Sequence, residues 1–279
     1  MKLWMALVLG LVQGVAEFLP ISSSGHLALL EHFFQMEEPD NLFNILLHFA
    51  TLIAVCVVYR KDIADMIVEF FRGIGALVSG SGSREDRPPE ARRLVLLLVL
   101  GTLPLFLVLP FQDFVEGLGA NPVFICFALM ATGLILYTAD RRGGGTKTAR
   151  SATVRDVLLI GLAQGVATVP GLSRSGCTIS AGMAVGLDRR FAVRYSFLLS
   201  LPAVLGATLL EVVKTVRDAQ ALDLSVIPAY IAGMLVAGVV GYFSIQLVKL
   251  LADKGKFGGF AYYCWAVALV ALAASFIVK

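Results

Sequence analysis

A glutamate, an arginine, a histidine and two serine- and glycine-rich breaks are the residues of this chain whose types and spacing could do chemistry. The first stretch reads QGVAEFLPISSSGH over residues 13–26, the second QGVATVPGLSRSGC over 164–177. They stand at a constant offset of 151, and nine of seventeen positions are identical between 10–26 and 161–177. In each, proline is followed by serines and a glycine, a pattern that ends one helix and starts another, because proline cannot continue a helix and serine is a favoured N-cap. A new helix start presents free N–H groups and a positive dipole end. One such break alone would be a locally capped turn. Two of them facing each other make an anion site.

The residues around the breaks differ between the copies. Ser22, Ser23, Ser24 and Gly25 in the first, with Ser173, Ser175, Gly176 and Thr178 in the second, are the candidates for holding an anion. Arg174 adds a permanently charged fork of donors that matches phosphate geometry. Glu17 carries the opposite charge. A carboxylate near the middle of a bilayer costs about 2.5–3.5 kcal/mol on insertion scales, so it must pair, bind a cation or face water. Gln13 lies four residues earlier, on the same helix face. A divalent cation reconciles a carboxylate with a phosphate cradle, since Mg²⁺ takes one or two carboxylates together with substrate phosphate oxygens. Glu17 is the metal-ligand candidate and Gln13 its neutral helper. His26, directly after Gly25, is placed to act as general acid, general base or nucleophile. His48, with Asn44 four residues before it, reads as a structural interhelical contact, and His32 as an interfacial residue.

Composition fixes the solvent in which these groups work. Of 279 residues, 58% are hydrophobic and only 15% charged, and the mean hydropathy is +0.82. Apolar runs long enough to cross a bilayer recur, which indicates an all-α polytopic membrane protein. The alternating ten-residue strands of a β-barrel are absent. A net charge of +3 gives no reason to expect nucleic acid. Cys56, Cys126, Cys177 and Cys264 lie in or beside apolar segments without paired spacing and read as small core residues. Lys2 before an apolar run resembles a signal peptide, but Gln13 and Glu17 follow without a small-residue cleavage site, so the segment is expected to stay in the mature protein.

Six segments have the length of full spans: 42–59, 94–111, 120–139, 193–213, 226–250 and 259–278. Residues 3–35 and 154–188 are apolar but broken in the middle, and each is expected to fold as a re-entrant hairpin of two half-helices. The order is hairpin and three spans over 1–140, then hairpin and three spans over 141–279. Three crossings put the second repeat on the opposite side from the first, an inverted-topology repeat in one integrated membrane domain, with the broken helices meeting at the site. Eighteen of the 23 Lys and Arg residues fall on one side, which should be cytoplasmic. Both termini would then face outward. The stretch SGSGSREDRPPEARR (79–93) reads as a polar cytoplasmic linker.

The motifs Q-x-x-x-E at 13–17, SSSGH at 22–26 and PGLSRSGCT at 170–178 strongly resemble the undecaprenyl-diphosphate phosphatase family of the bacitracin-resistance type. The likeness runs the full length and includes LPAVLGAT at 201–208. It implies an enzyme of the bacterial inner membrane that hydrolyses undecaprenyl diphosphate to the monophosphate and phosphate, with Mg²⁺ or Ca²⁺, and so recycles the lipid carrier of cell-wall synthesis. By resemblance Glu17, Ser23, His26 and Arg174 are catalytic, and Ser22, Gly25, Ser173, Ser175 and Thr178 belong to the phosphate-binding motif. The family pattern allows a second carboxylate where this chain has Gln13, which leaves Glu17 a larger share of the metal. The family's site opens to the outer face. Ser23 assisted by His26, His26 itself, or water remain as nucleophiles, with the first favoured. The apolar surface permits a homodimer.

Two other readings make distinct demands. A type-2 phosphatidic acid phosphatase needs a histidine six residues after its arginine, and Ser180 stands there. A lipid-phosphate transporter would use the same broken helices and anion site without cleaving anything.

Overall fold

In hydrocarbon every backbone N–H and C=O must be satisfied within the chain, so a sequence this apolar has helices as its natural form. The computed structural model describes residues 2–34, 41–78, 89–217 and 224–277. Among the described residues the only β pairing is an isolated bridge between Lys147 and Leu187. The helices run α1 (Leu3–Ala16), α2 (Ser23–Phe33), α3 (Asn41–Val58), α4 (Arg60–Val78), α5 (Glu90–Thr102), α6 (Gln112–Gly117), α7 (Pro122–Arg142), α8 (Val154–Val166), α9 (Arg174–Ala184), α10 (Arg189–Arg217), α11 (Ile227–Asp253) and α12 (Gly258–Ile277). Among the described residues five helical runs are long and apolar enough to cross a membrane: Glu90–Ala120, Pro122–Arg142, Arg189–Leu210, Ile227–Asp253 and Gly258–Phe276. A sixth is α3, whose 18 residues reach about 27 Å at 1.5 Å each. The chain is a multi-pass, all-α membrane protein.

The two broken segments fold alike. α1 and α8 begin at Leu3 and Val154, α2 and α9 begin at Ser23 and Arg174, and α2 and α9 end at Phe33 and Ala184. Each of these pairs is separated by the 151 residues of the sequence repeat. None of the four half-helices exceeds 14 residues, about 21 Å, too short to cross alone.

Three expectations are corrected. The span at 94–111 is part of a longer run, Glu90–Ala120. Pro104 and Pro110 remove backbone donors there, and the chain passes through 3-10 turns at Leu103–Leu107 and Leu109–Phe111 before α6. Between the expected spans at 42–59 and 94–111 no helix was expected, but 60–78 form α4, bent 83° from α3 and so lying across it. Two of its charges face the bundle, where Asp62 accepts from Arg194 at 2.5 Å and Glu69 from Arg92 at 2.9 Å. Ile67, Phe70, Phe71 and Ile74 point outward. The linker at 79–93 lies outside the described residues over 79–88. Thirdly, Cys126, Cys177 and Cys264 are buried as expected, but Cys56 is exposed.

α1 is held in place by close backbone contact with α11. Gly10 and Gly14 form a small-xxx-small face against Gly233, Ala237 and Gly241, the packing that substitutes for hydrophobic drive in lipid. A side chain at Gly10 would strike the Gly233 carbonyl, and a Cβ at Gly14 would lie 2.7 Å from the Ala237 carbonyl oxygen. Gly14→Val is therefore expected to destabilise the protein by about 1–3 kcal/mol, the usual range for overpacking. Gly117→Val, where a Cβ meets nothing within 4 Å, should not. Thermal unfolding of both variants in detergent checks this.

Candidate active site

The two helix breaks bend differently because one aligned position differs. In the second copy Gly171 takes the left-handed bend with φ of 92°. Pro20 stands at the matching place in the first copy and cannot adopt a positive φ. The bend there moves to Ser22, whose φ of 71° is the only positive value on a non-glycine residue among the described residues. Such backbone strain persists only where the surroundings enforce it. Both new helices are then capped identically. Ser22 Oγ accepts from Gly25 N–H at 3.1 Å, and Ser173 Oγ from Gly176 N–H at 3.0 Å.

The breaks also bond to each other. Ser22 Oγ donates to the Leu172 carbonyl at 3.3 Å, Ser175 Oγ to the Leu19 carbonyl at 3.4 Å, and Gly171 N–H to Ser24 Oγ at 3.4 Å. Ser24 and Ser175 occupy matching positions, each reaching to the other copy's break. Both helix starts are thus fixed side by side. The first residue of each, Ser23 and Arg174, converges on one carboxylate.

That carboxylate is Glu17, 7% exposed, at the end of α1. Arg174 Nη2 donates to its Oε1 at 2.6 Å. Ser23 Oγ donates to its Oε2 at 2.7 Å, and Gln13 Nε2 to the same oxygen at 3.2 Å. His48 Nε2 from α3 lies 3.4 Å from Oε2. The other ring nitrogen of His48 is 2.8 Å from the Asn44 carbonyl oxygen. A carbonyl only accepts, so Nδ1 carries a hydrogen and Nε2 is the nitrogen turned to the carboxylate.

A cavity of about 290 Å³ opens over this cluster, lined among others by Glu17, Ser23, Ser24, His48, Gln164 and Arg174. Three of its lining residues carry buried polar atoms without a hydrogen-bond partner: Arg174 Nη1, both amide atoms of Gln164, and Thr208 Oγ1. Unsatisfied donors buried together are costly in an empty protein and are what an anionic ligand would satisfy. Leu105, Thr168, Ala203 and Ala207 are shared with a second cavity of about 360 Å³, walled by Phe106, Val108, Leu109, Val115, Pro202 and Leu210. A polar chamber therefore continues into an apolar slot.

The structure sorts the sequence candidates. Glu17, Ser23, Ser24 and Arg174 line the polar chamber, and Gln13 backs Glu17 from a fully buried position. Ser22, Gly25, Ser173 and Gly176 are used in the two caps. Ser175 serves the contact between breaks, and Thr178 Oγ1 bonds Ser196 Oγ at 2.6 Å and the Arg174 carbonyl at 2.8 Å. These six build the cradle rather than line it. His26 is displaced from the expected place. Its Nδ1 lies 2.7 Å from the Ser22 carbonyl and its Nε2 3.1 Å from the Tyr263 hydroxyl, with the two rings stacked. His26 thus turns to Tyr263 of α12 and back to the Ser22 carbonyl, where it steadies the strained Ser22, and it does not line the chamber over Glu17. His48 occupies the place beside Glu17 instead of making only an interhelical contact, a role that falls to Asn44 through Glu31 at 2.8 Å. Gln164 was missed although the repeat pointed to it, since it is the counterpart of Gln13.

For a metal, the described residues contain no group of three or more His, Cys, Asp or Glu. Both Glu17 oxygens are engaged, while Gln13 Oε1 is buried and unpartnered. This donor set fits an ion that arrives with phosphate oxygens of its own, not one caged by protein alone.

The chain matches the model of the family described as bacitracin resistance protein BacA over residues 6–270. It is 42% identical over 266 residues to a protein of Desulfosudis oleivorans named undecaprenyl-diphosphatase, covering 95% of this chain and 96% of that one. Proteins of the same name are 38% identical in Carboxydothermus hydrogenoformans, over 98% of this chain and 97% of theirs, and 42% identical in Treponema denticola, over 94% of both.

The unpartnered groups of Arg174, Gln164 and Thr208 predict binding of inorganic diphosphate in the chamber. Gln164→Leu should weaken diphosphate binding about tenfold, the loss of roughly one hydrogen bond to a charged acceptor. Isothermal titration of the detergent-solubilised protein reads it, and Thr138→Ala, away from the chamber, should bind as before.

Proposed function

The chain belongs to the bacitracin resistance protein BacA family, and from that premise and the site's geometry we propose that it hydrolyses undecaprenyl diphosphate to undecaprenyl phosphate and inorganic phosphate. The reaction recycles the lipid carrier of bacterial cell-wall synthesis, and regenerating that carrier confers resistance to bacitracin. The observation that carries the reading is the Ser23–Glu17–Arg174 cluster at two converging helix starts, in a chamber continuous with an apolar slot. The diphosphate enters the chamber and the isoprenoid chain lies along the slot and the lipid-facing helices.

Arg174 Nη1 and the Gln164 amide bind the terminal phosphate. The free N–H groups of the first turns of α2 and α9 face the same charge. Glu17 accepts the Ser23 proton, since Ser23 Oγ already donates to it at 2.7 Å. Ser23 Oγ then attacks the terminal phosphorus, a phosphorus–oxygen bond forms, and the bond to the bridging oxygen breaks. Undecaprenyl phosphate leaves with the electron pair. Water then attacks the phosphoserine, and the proton held at Glu17 returns to Ser23 as phosphate departs. Arg174 and the two helix ends stabilise the charge on the equatorial oxygens throughout. His48, at 3.4 Å from Glu17, holds the carboxylate in line. His26 is a positioning residue that acts through Ser22. Glu17, with Gln13 as neutral helper, would hold a divalent cation, Mg²⁺ or Ca²⁺, which would supply further charge neutralisation.

The same reading includes the arrangement in the membrane. The two repeats, 1–140 and 141–279, insert with opposite orientation, both termini face outward, and the site opens to the outer face. The side that holds eighteen of the 23 Lys and Arg residues supports this orientation. Homodimerisation through the lipid-facing helices belongs to the same reading, with crosslinking in native membranes as its measure.

Purified protein should release phosphate from undecaprenyl diphosphate in detergent, where transport between compartments has no meaning. Glu17→Ala and Arg174→Ala should each reduce kcat at least 10²-fold, the scale of losing an electrostatic stabiliser, and each should also lower the thermal midpoint, because it leaves the partner charge buried and unpaired. Chelation should silence the enzyme and Mg²⁺ or Ca²⁺ restore it. Ser23→Ala decides the nucleophile. A loss of about 10³-fold or more, with a trapped phosphoserine in the parent, supports serine, whereas near-parent turnover transfers the attack to water activated by Glu17.

A further inference from the structure

The cavity over Glu17 is exceeded in size by another among the described residues. A cavity of about 790 Å³ lies at the far ends of α7 and α11 and the start of α12, lined by Tyr137, Asp140, Arg141, Lys256, Tyr262 and Tyr263 among others. It reaches inward to Val15, Leu19 and Ile21, beside the first helix break. Its mouth lies at the end of the bundle rich in Lys and Arg.

The charges of this cavity are unbalanced. Asp140 is its only carboxylate and is already saturated. Arg189 Nη1 donates to Oδ1 at 2.8 Å and Phe257 N–H to the same oxygen at 3.3 Å, while Gly258 N–H donates to Oδ2 at 3.0 Å. The nearby Asp253 is paired with Arg190 at 2.7 Å. Arg141 and Lys256 have no carboxylate partner among the described residues. The Arg141 guanidinium instead lies 4.5 Å from the Tyr137 ring centroid, which holds it over the cavity wall. Below these cations the lining is aromatic and then aliphatic.

We propose that this cavity binds an anionic glycerophospholipid of the Lys/Arg-rich leaflet. The phosphodiester would sit between Arg141 and Lys256, the glycerol region against Tyr137 and Tyr262, and an acyl chain along Leu19 and Ile21. Two unpaired cations over an apolar floor at a bilayer interface match that chemistry and leave a soluble anion no reason to enter so deep. The volume lies within the range of small-molecule sites and suits a head group with the upper part of its chains. The proposal is independent of the hydrolytic reading, because neither cation touches the chamber over Glu17.

Native mass spectrometry of the full-length protein, titrated in detergent with phosphatidylglycerol or phosphatidylcholine, tests it. One phosphatidylglycerol should bind with at least tenfold preference over phosphatidylcholine. The preference should fall within twofold in Arg141→Ala/Lys256→Ala, whose thermal midpoint and phosphate release match the parent. Arg142→Ala, the adjacent arginine that lines a different cavity, should keep it. Equal binding of the two lipids by the parent overturns the proposal, as does a preference that survives the double substitution or disappears equally in Arg142→Ala. Displacement of phosphatidylglycerol by millimolar inorganic phosphate would make the cavity a site for free phosphate and overturn the lipid assignment.

Discussion

An ion pair placed where the backbone is not helical organises this protein. Glu17 and Arg174 lie 157 residues apart in sequence and 2.6 Å apart in space. Neither charge is tolerable alone at that depth, and neither is the broken backbone around it. Each solves the other's difficulty. Ser23 of the first break donates its hydroxyl to the carboxylate, and the ion pair clamps the breaks together. The close packing of α1 on α11 and the bonds from Ser24 and Ser175 across the breaks serve to keep this meeting point in register.

The repeat explains how a symmetric cradle becomes an asymmetric site. Ser23 and Arg174 are the same position in the two copies, the first residue of each inner half-helix. The capping rule divides the labour: an N-cap oxygen turns back to the third amide of its helix, so Ser22 and Ser173 are spent on caps. The next residue projects forward. There one copy has a hydroxyl that can attack and the other a cation that can hold the anion. Glu17 has Thr168 as its counterpart, and Gln13 has Gln164. One glutamine braces the carboxylate from behind, and the other lines the chamber with both amide atoms unpartnered.

How legible this was in the sequence follows from the same geometry. The half-helices and their breaks could be read because they rest on residue type and a fixed offset of 151, whereas the Glu17–Arg174 pairing could not, since sequence alone assigned the carboxylate to a cation and the arginine to phosphate. Gln164 was readable by the same rule and was passed over because it carries no charge. His48 was not readable: it approaches Glu17 from another helix, and its local neighbour Asn44 suggested a different partner. Nor was the displacement of His26, since adjacency to SSSG says nothing about which flank of α2 it takes. Helix α4 was lost for an opposite reason. Charge is expected to mark the exposed face, but here Asp62 and Glu69 turn inward to Arg194 and Arg92 while Ile67, Phe70 and Phe71 turn out.

The connection between chamber and slot carries the argument for a lipid diphosphate over a soluble one. Arg174, Gln164 and Thr208 would serve any phosphate. The chamber, however, shares Leu105, Thr168, Ala203 and Ala207 with an apolar slot, and the residues that open the slot are the ones that interrupt regular structure. Pro104 and Pro110 loosen the run after α5 into 3-10 turns, and Pro202 sits inside α10, where it removes the bond to the carbonyl four residues back. These prolines are poor choices for a helix that only has to cross a bilayer. They make sense where two helices must part enough for a chain to lie between them.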